Sequence, residues 1–256
     1  MKKIDLEDVS FLIPVRIDSK ERFENINWII EFIWKYFNTT IIVLEADETE
    51  RFHNSLVSRK IFVKDHDRVF HRTKYINKMI RESTTDLIAV WDTDVFADYK
   101  QILKAVTILR QEKIEIVFPF DGRFFRVPQV IRTIYKETKD FNILVKNQEK
   151  FLLYYWHHFV GGAFIVNRKA YIESGMENEN FYGWGPEDEE RVKRREILGF
   201  KLKRVQGPMF HLEHPRNNSW FASKELEIQN RNELIKVCRM DKRTLLLYIS
   251  SFKWCW

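Results

Sequence analysis

Asp92 and Asp94 stand one residue apart at the end of an apolar run, Leu87 to Trp91. Short aspartate side chains make local turns, so a strand can end this way for structural reasons alone. Open α/β sheets also keep their ligands at strand C-termini, where paired carboxylates can hold a divalent cation. A D-x-D spacing does not choose between these readings. Four further segments bear on the choice: FLIPVRID (11–18), VFHRTKYIN (69–77), FYGWGPEDEE (181–190) and FHLEHPR (210–216).

In FYGWGPEDEE, Gly183, Gly185 and Pro186 make a turn, and Glu187, Asp188 and Glu189 crowd the first turn of a helix. The positive end of the helix dipole favours each acid by about 0.3–1 kcal/mol. That accounts for the acids but not for Trp184 between two glycines. A ring presented beside carboxylates can grip a sugar face while one carboxylate acts as base. His211 and His214 lie three apart: an extended segment turns them to opposite sides, and a turn brings both onto one cation. With Asp94 they would suit Mn²⁺ or another first-row ion. Arg72 and Lys74 at a helix start, and Arg16 just past a strand, either meet a pyrophosphate or face solvent, and strand-end position favours the ligand.

The elements that must position these residues follow from periodicity. VSFLIPV (9–15) reads as a buried strand, and Phe23, Ile26, Ile30, Ile33 and Phe37 give a helix from Lys20 to Phe37. TIIVLEA (40–46) and KIFVK (60–64) are further strands, Arg72 to Ser83 is a helix, and DLIAVWD is a central strand. Tyr99 to Arg110 reads as a helix and IEIVFPF as a strand. Asp121 to Trp156 has weaker periodicity and is expected to be an insertion of helix and loop. FVGGAFIVN (159–167) is an apolar strand interrupted by Gly161 and Gly162, a mark of close backbone or ligand approach. A helix from Pro186 to Leu198, a strand over Lys201 to Val205 and a C-terminal helix from Phe221 complete the chain. The expected fold class is α/β, a mixed, mostly parallel sheet flanked by helices.

With 256 residues, 45% of them hydrophobic, and only 8 Gly and 6 Pro, the chain reads as one well-packed domain. Residues 1–120 would form a nucleotide-binding half, 121–240 an acceptor and catalytic half, and 241–256 a helical tail. The net charge of +6 and pI near 9.1 suggest an anionic partner: nucleic acid, anionic lipid or a phosphorylated small molecule. RVKRRE (191–196) and KLKR (201–204) concentrate the positive charge, but interleaved acids make a solvated helix face the expectation. Cys238 and Cys255 are too few for a disulfide framework, which points to a reducing compartment. No secretory signal and no apolar stretch of about 18 residues is present. The tail TLLLYISSFKWCW (244–256) is either a packing helix or an amphipathic patch that touches a membrane with the basic surface.

Taken in order, the segments resemble the β-1,4-galactosyltransferase family and its bacterial relatives among the GT-A-fold glycosyltransferases, from about Phe11 to Arg216. IPVR resembles the strand-end Pro-Phe-Arg that meets the uridine nucleotide, with Pro14 and Arg16 matching, Val15 in place of Phe, and Asp18 in place of a second arginine. FHRTKYIN is similar to Phe-Asn-Arg-x-Lys-x-x-Asn, which gives Phe70 and Arg72 a nucleotide-binding role. WDTDVF resembles Asp-Val-Asp, implying that Asp94 ligates the metal and Asp92 contacts the donor. FVGG resembles the aromatic-Phe-Gly-Gly loop lining donor and acceptor sugars, which points to Phe159, Gly161 and Gly162. GWGPEDEE is similar to Gly-Trp-Gly-Gly-Glu-Asp-Asp, with Pro186 stiffening the turn. HLEH resembles Met-x-x-His, with His211 and His214 as metal ligands.

The resemblance implies an inverting transfer of a hexose from a UDP-sugar to a hydroxyl of a glycan or lipid-linked sugar, dependent on Mn²⁺ or another divalent cation such as Mg²⁺. Asp188 would be the general base, Glu187 a sugar-hydroxyl partner and Trp184 the platform. Phe159 falls where a large residue excludes an N-acetyl group, favouring galactose over N-acetylgalactosamine. A retaining transferase of the polypeptide N-acetylgalactosamine type has Asn after Glu, where this chain has Asp188. A basic nucleic-acid-binding protein would use Lys, Arg and aromatics for phosphates and base stacking, but gives no reason for Asp92, Asp94, Glu187 and Asp188. A non-catalytic sugar-binding module is the remaining alternative. The expected setting is cytoplasmic, in surface polysaccharide or lipid-linked glycan synthesis, with at most peripheral membrane contact.

Overall fold

The computed structural model describes residues 2–155, 158–215 and 223–255. The boundaries expected at Trp156, Arg216 and Phe221, and the last tail residue, Trp256, lie outside the described residues. In chain order the elements are β1 (Ile4–Val15), α1 (Lys20–Tyr36), β2 (Phe37–Asp47), β3 (Arg59–Lys64), α2 (Arg72–Glu82), β4 (Leu87–Trp91), β5 (Val95–Phe96), α3 (Tyr99–Gln111), β6 (Ile116–Phe118) and β7 (Phe124–Val127). Then come α4 (Gln129–Thr138), α5 (Asn142–Lys146), β8 (Leu152–Tyr155), β9 (Ala163–Asn167), α6 (Arg168–Glu173), α7 (Glu187–Leu198), β10 (Leu202–Arg204), β11 (Met209–Leu212), α8 (Lys224–Cys238) and α9 (Lys242–Ser250).

β4 is wholly apolar and buried, and β1, β2 and β9 carry buried apolar runs beside it, as strands covered on both faces do. Among the described residues they belong to a seven-stranded sheet of order β10-β6-β9-β4-β1-β2-β3. β4 is its middle strand. β1 pairs parallel with β2 and β4, β2 with β3, and β10 with β6, while β9 runs antiparallel to both β4 and β6. α1 and α3 start where the sequence supplies caps. The Ser19 hydroxyl accepts from the Arg22 amide at the head of α1, and Asp98 caps α3 through the Lys100 amide.

The segment expected to be helix and loop also holds β7 and β8, which with β5 and β11 form a second, four-stranded sheet. Its strands are short and its partners distant in sequence, so alternation gives little signal for them. The expected strand over 159–167 begins only at Ala163, because Phe159 to Gly162 form a loop at the sheet edge.

RVKRRE is not a solvated face. Arg191, Arg194 and Arg195 are almost completely buried. They sit at i, i+3 and i+4 on one side of α7 and grip the turn after α6. Arg191 donates Nε (2.7 Å) and Nη2 (2.8 Å) to Glu177, which also accepts from the Tyr171 hydroxyl. Arg194 donates to the carbonyls of Ser174 and Met176, both at 2.6 Å, and pairs with Glu190 at 2.9 Å. Arg195 donates to the Met176 carbonyl at 2.9 Å. Burial alone would raise the Glu177 carboxyl, but Arg191 beside it holds it below the usual carboxylate range. At the end of the same face of α7, Leu198 clusters with Val237 of α8 and Leu245, Ile249 and Phe252 of the tail. α9 is thus a packing helix with Leu246 and Leu247 left exposed. No described helix is long and apolar enough to cross a membrane.

Removing one member of a buried ion pair strands the other. Glu177→Ala is expected to lower unfolding free energy by about 3–5 kcal/mol, measured by denaturant titration.

Candidate active site

The parallel strands β1, β2 and β4 end on one edge of the large sheet. Because β9 is antiparallel it begins there, with Ala163 opposite Trp91. The Asp92 amide donates to the Gly162 carbonyl at 2.8 Å, tying the two ends together. β5 follows Asp94 at once and pairs with β11, placing His211 opposite Val95. The second sheet therefore stands on the edge where the first sheet ends. A cavity of about 510 Å³ opens between them.

Asp94, His211 and His214 converge there, with ligand atoms all within 4.8 Å of one another. Asp94 is 2.9 Å from His214 Nε2 and 3.8 Å from His211 Nε2. His214 lies past the end of β11, out of the strand's alternation, and both imidazoles reach the same carboxylate. His214 Nδ1 lies 2.8 Å from the Pro215 carbonyl, and with its proton there the ring would present Nε2 to a cation shared with Asp94. One carboxylate and two imidazoles form a donor set that fits Mn²⁺. Arg22, on α1, reinforces it: Nη1 is 3.8 Å from Asp94, and Nε donates to Asp18 at 2.8 Å. Burial would raise the Asp94 carboxyl, but His211, His214 and Arg22 hold it well below the usual range.

Asp92 faces the other way and takes a charge-assisted bond of 2.6 Å from Arg72 Nη2. Loss of solvent raises the Asp92 carboxyl against Arg72, with Asp94 and Asp188 adding to the rise. Arg72 thus meets a carboxylate at the head of α2, while Lys74 is exposed. Pro14, Arg16 and Phe70 line the same cavity. Arg16 is braced by the carbonyls of Ala46 (2.9 Å) and Asp67 (2.8 Å) and by Asp65.

At the opposite wall, α7 begins at Glu187 with Pro186 as its cap, so Glu187 and Asp188 occupy the first turn. Asp188 Oδ1 pairs with Arg191 Nη1 at 2.7 Å and lies 3.7 Å from Arg72. Glu187 is buried, and its Oε2 has no hydrogen-bond partner among the described residues. Burial, then the neighbouring Asp188, pushes its carboxyl up to about 8, so it is a neutral acid at pH 7. Trp184 is 56% exposed at the mouth. Gly183 has φ +78°, which favours glycine, and Gly185 leaves room for the Asn230 side chain.

Phe159 stacks on Tyr155 with centroids 4.4 Å apart and rings near parallel, and touches Phe124. Gly161 does not line the cavity directly. Its absent Cβ would lie 2.5 Å from Asp188 Oδ2, so the backbone approaches that carboxylate as only glycine allows. Gly162, at φ +86°, sits against Met209. Arg22, Thr93, Phe124, Tyr154, Tyr155 and His158 also line the cavity and were not read from the sequence. Arg22 had one local signal, its i, i+4 spacing from Asp18.

The chain resembles known proteins in sequence and in fold. The family model described as the N-terminal domain of galactosyltransferase matches residues 143–215. β-1,4-Galactosyltransferase 7 of Mus musculus is 26% identical over 198 residues, covering 76% of this chain and 47% of that protein. The chain thus spans about half the length of the relative it matches. The structure of GalNAc-T7 with UDP, GalNAc and Mn²⁺ superposes with a TM-score of 0.56 at 11% identity, covering 89% of this chain and 47% of that one. Glucosyl-3-phosphoglycerate synthase from Mycobacterium tuberculosis, with Mn²⁺, UDP and phosphoglyceric acid, gives 0.51 at 14% identity, covering 95% and 78%. The chain has the GT-A glycosyltransferase fold and is related to β-1,4-galactosyltransferase 7.

A carboxyl raised from an ordinary 4.5 to about 8 binds its proton more tightly in the folded state. Stability therefore falls as pH rises from about 4.5 to 8. Glu187→Gln should flatten this fall, read from melting temperatures across that window. Gly161→Ala should displace the Asp188 carboxylate and cut turnover at least tenfold, with the melting temperature little changed.

Proposed function

We propose that this chain is an inverting, metal-dependent glycosyltransferase that moves a hexose, galactose favoured, from a UDP-sugar to a hydroxyl of a glycan or lipid-linked sugar. The observation that carries the reading is the pairing, within one cavity, of the Asp94–His211–His214 donor set with Asp188 on the facing wall. Relatives of the same fold carry Mn²⁺ with UDP.

Asp94, His211 and His214 would hold the cation, which when bound supplies positive charge to the departing pyrophosphate. Arg16, Pro14 and Phe70 take the uridine end. Asp188 keeps Oδ1 on Arg191, which leaves Oδ2 to accept the acceptor hydroxyl proton. The freed oxygen forms a bond to the anomeric carbon as the bond to the UDP oxygen breaks. Attack from the face opposite UDP inverts that centre. Glu187, as a neutral acid, donates a hydrogen bond to a sugar hydroxyl, and Trp184 lies along the ring face. Phe159 lines the cavity, and a large ring there would favour a plain hexose over one with an N-acetyl arm.

The whole chain then works as one domain, residues 1–120 on the nucleotide and 121–240 on the sugars, in surface polysaccharide synthesis. We place it in the cytoplasm, its basic surface and tail at most touching a membrane. Nucleic acid is an unsuitable partner for a cavity lined by Asp92, Asp94, Glu187 and Asp188, which repel phosphates unless a cation intervenes.

Calorimetric titration of UDP in Mn²⁺ should show binding that EDTA abolishes and that Asp94→Ala weakens at least a hundredfold. Equal binding in EDTA would remove the cation from the reading. Absence of UDP binding by the folded protein would remove the transferase.

A further inference from the structure

Trp184 has little packing of its own, so its place at the cavity mouth depends on the backbone that carries it. That backbone, residues 178–186, is neither helix nor strand. It is held from α8 and α9, which lie beyond the stretch matched by the galactosyltransferase model. Asn230, in the middle of α8, is 1% exposed. Its Nδ2 donates to the carbonyls of Tyr182 (3.0 Å) and Trp184 (3.1 Å), and its Oδ1 accepts from the Tyr182 amide at 3.3 Å. A side-chain amide offers the same donor and acceptor as a peptide group, so Asn230 takes the part of a neighbouring strand. Gly185 completes the fit, since a Cβ there would lie 2.7 Å from Asn230 Nδ2.

The same two helices grip the start of the loop. Glu233 of α8 accepts from Asn178 Nδ2 at 2.7 Å and from the Tyr248 hydroxyl of α9, and that hydroxyl receives Asn180 Nδ2 at 2.8 Å. From the other side, Tyr182 donates its hydroxyl to Asp67 at 2.5 Å, and the Thr73 hydroxyl donates to the Phe181 carbonyl at 3.2 Å. The bonds to Trp184 itself come from Asn230.

We propose that Asn230 is the positioning residue for Trp184, and that the C-terminal helices serve to hold this ring over the hexose of the donor. The inference rests on the nucleotide-sugar reading of the cavity. Asp94 and Phe70 are held by other elements and Arg16 keeps its bonds to the Ala46 carbonyl and Asp65, so loss of the Asn230 bonds acts on the hexose and spares the nucleotide.

The test uses the full chain in Mn²⁺, with Asn230→Ala and the isosteric Asn230→Asp, which keeps the volume but cannot donate to the two carbonyls. UDP affinity should stay within twofold of wild type, while the ratio of UDP-galactose to UDP dissociation constants rises at least fivefold. In Asn230→Ala, which also removes the acceptor, hydrogen exchange at the Tyr182 amide should quicken at least tenfold, without change in the strands of the large sheet. An unchanged ratio, or equal weakening of UDP and UDP-galactose, would overturn the proposal. Failure of wild type to bind UDP while exchange at Tyr182 still responds would instead overturn the reading on which it rests.

Discussion

Crowded like charge is the condition this structure is built around. Asp92, Asp94, Glu187 and Asp188 share one cavity, and two carboxylates about 4 Å apart repel by roughly 4 kcal/mol at an effective dielectric of 20. Three arginines hold the cluster together. Arg22 joins Asp18 to Asp94, Arg72 joins Asp92 and approaches Asp188, and Arg191 joins Asp188 to Glu177. Acid and base alternate from the edge of β4 to the turn after α6. Glu187 lies outside this alternation and responds by keeping its proton. Arg191 of α7 thus belongs to the site as much as to the core.

The large sheet was legible because its strands contain apolar runs and its helices have a clear period, with caps at the heads of α1 and α3. β1, α1, α2, β4 and α3 fall within a few residues of their expected places, though β1 begins earlier, at Ile4. The second sheet was not legible. β5 has two residues, and β11 pairs with β7 across more than eighty positions, so no local pattern marks either. The fate of RVKRRE shows the same limit. Its charges look solvated from within α7, and only Glu177 and the carbonyls of Ser174 and Met176, supplied by the fold, make their burial affordable.

The site residues were legible to a greater degree than their contacts. Asp92 and Asp94, neighbours in a D-x-D, point to different partners: one to Arg72 and one to two histidines. A spacing of two along an extended backbone sends side chains to the same face, and the turn after Trp91 undoes that rule. His211 and His214 required the opposite inference, since they converge only because the chain leaves β11 after Leu212. Both outcomes depend on backbone direction past a strand end, which residue types alone do not specify. Arg22 was missed because a buried guanidinium and an exposed one are written with the same letter.

β9 runs against its neighbours, and this has a consequence for how the chain can change. The chain leaves the large sheet at the end of β6 and re-enters at the start of β9, on the same edge. Residues 119–162 are therefore a closed excursion, beginning and ending beside the cavity and carrying Phe124, Tyr154, Tyr155 and Phe159. Such a detour can lengthen, shorten or be exchanged without altering the register of either strand. β7 is the fixed part of it, pairing with β11 and setting Arg126 opposite His211, so change falls on the helices and loops between β7 and β8, where the wall that would face an acceptor can vary while the cation ligands keep their places.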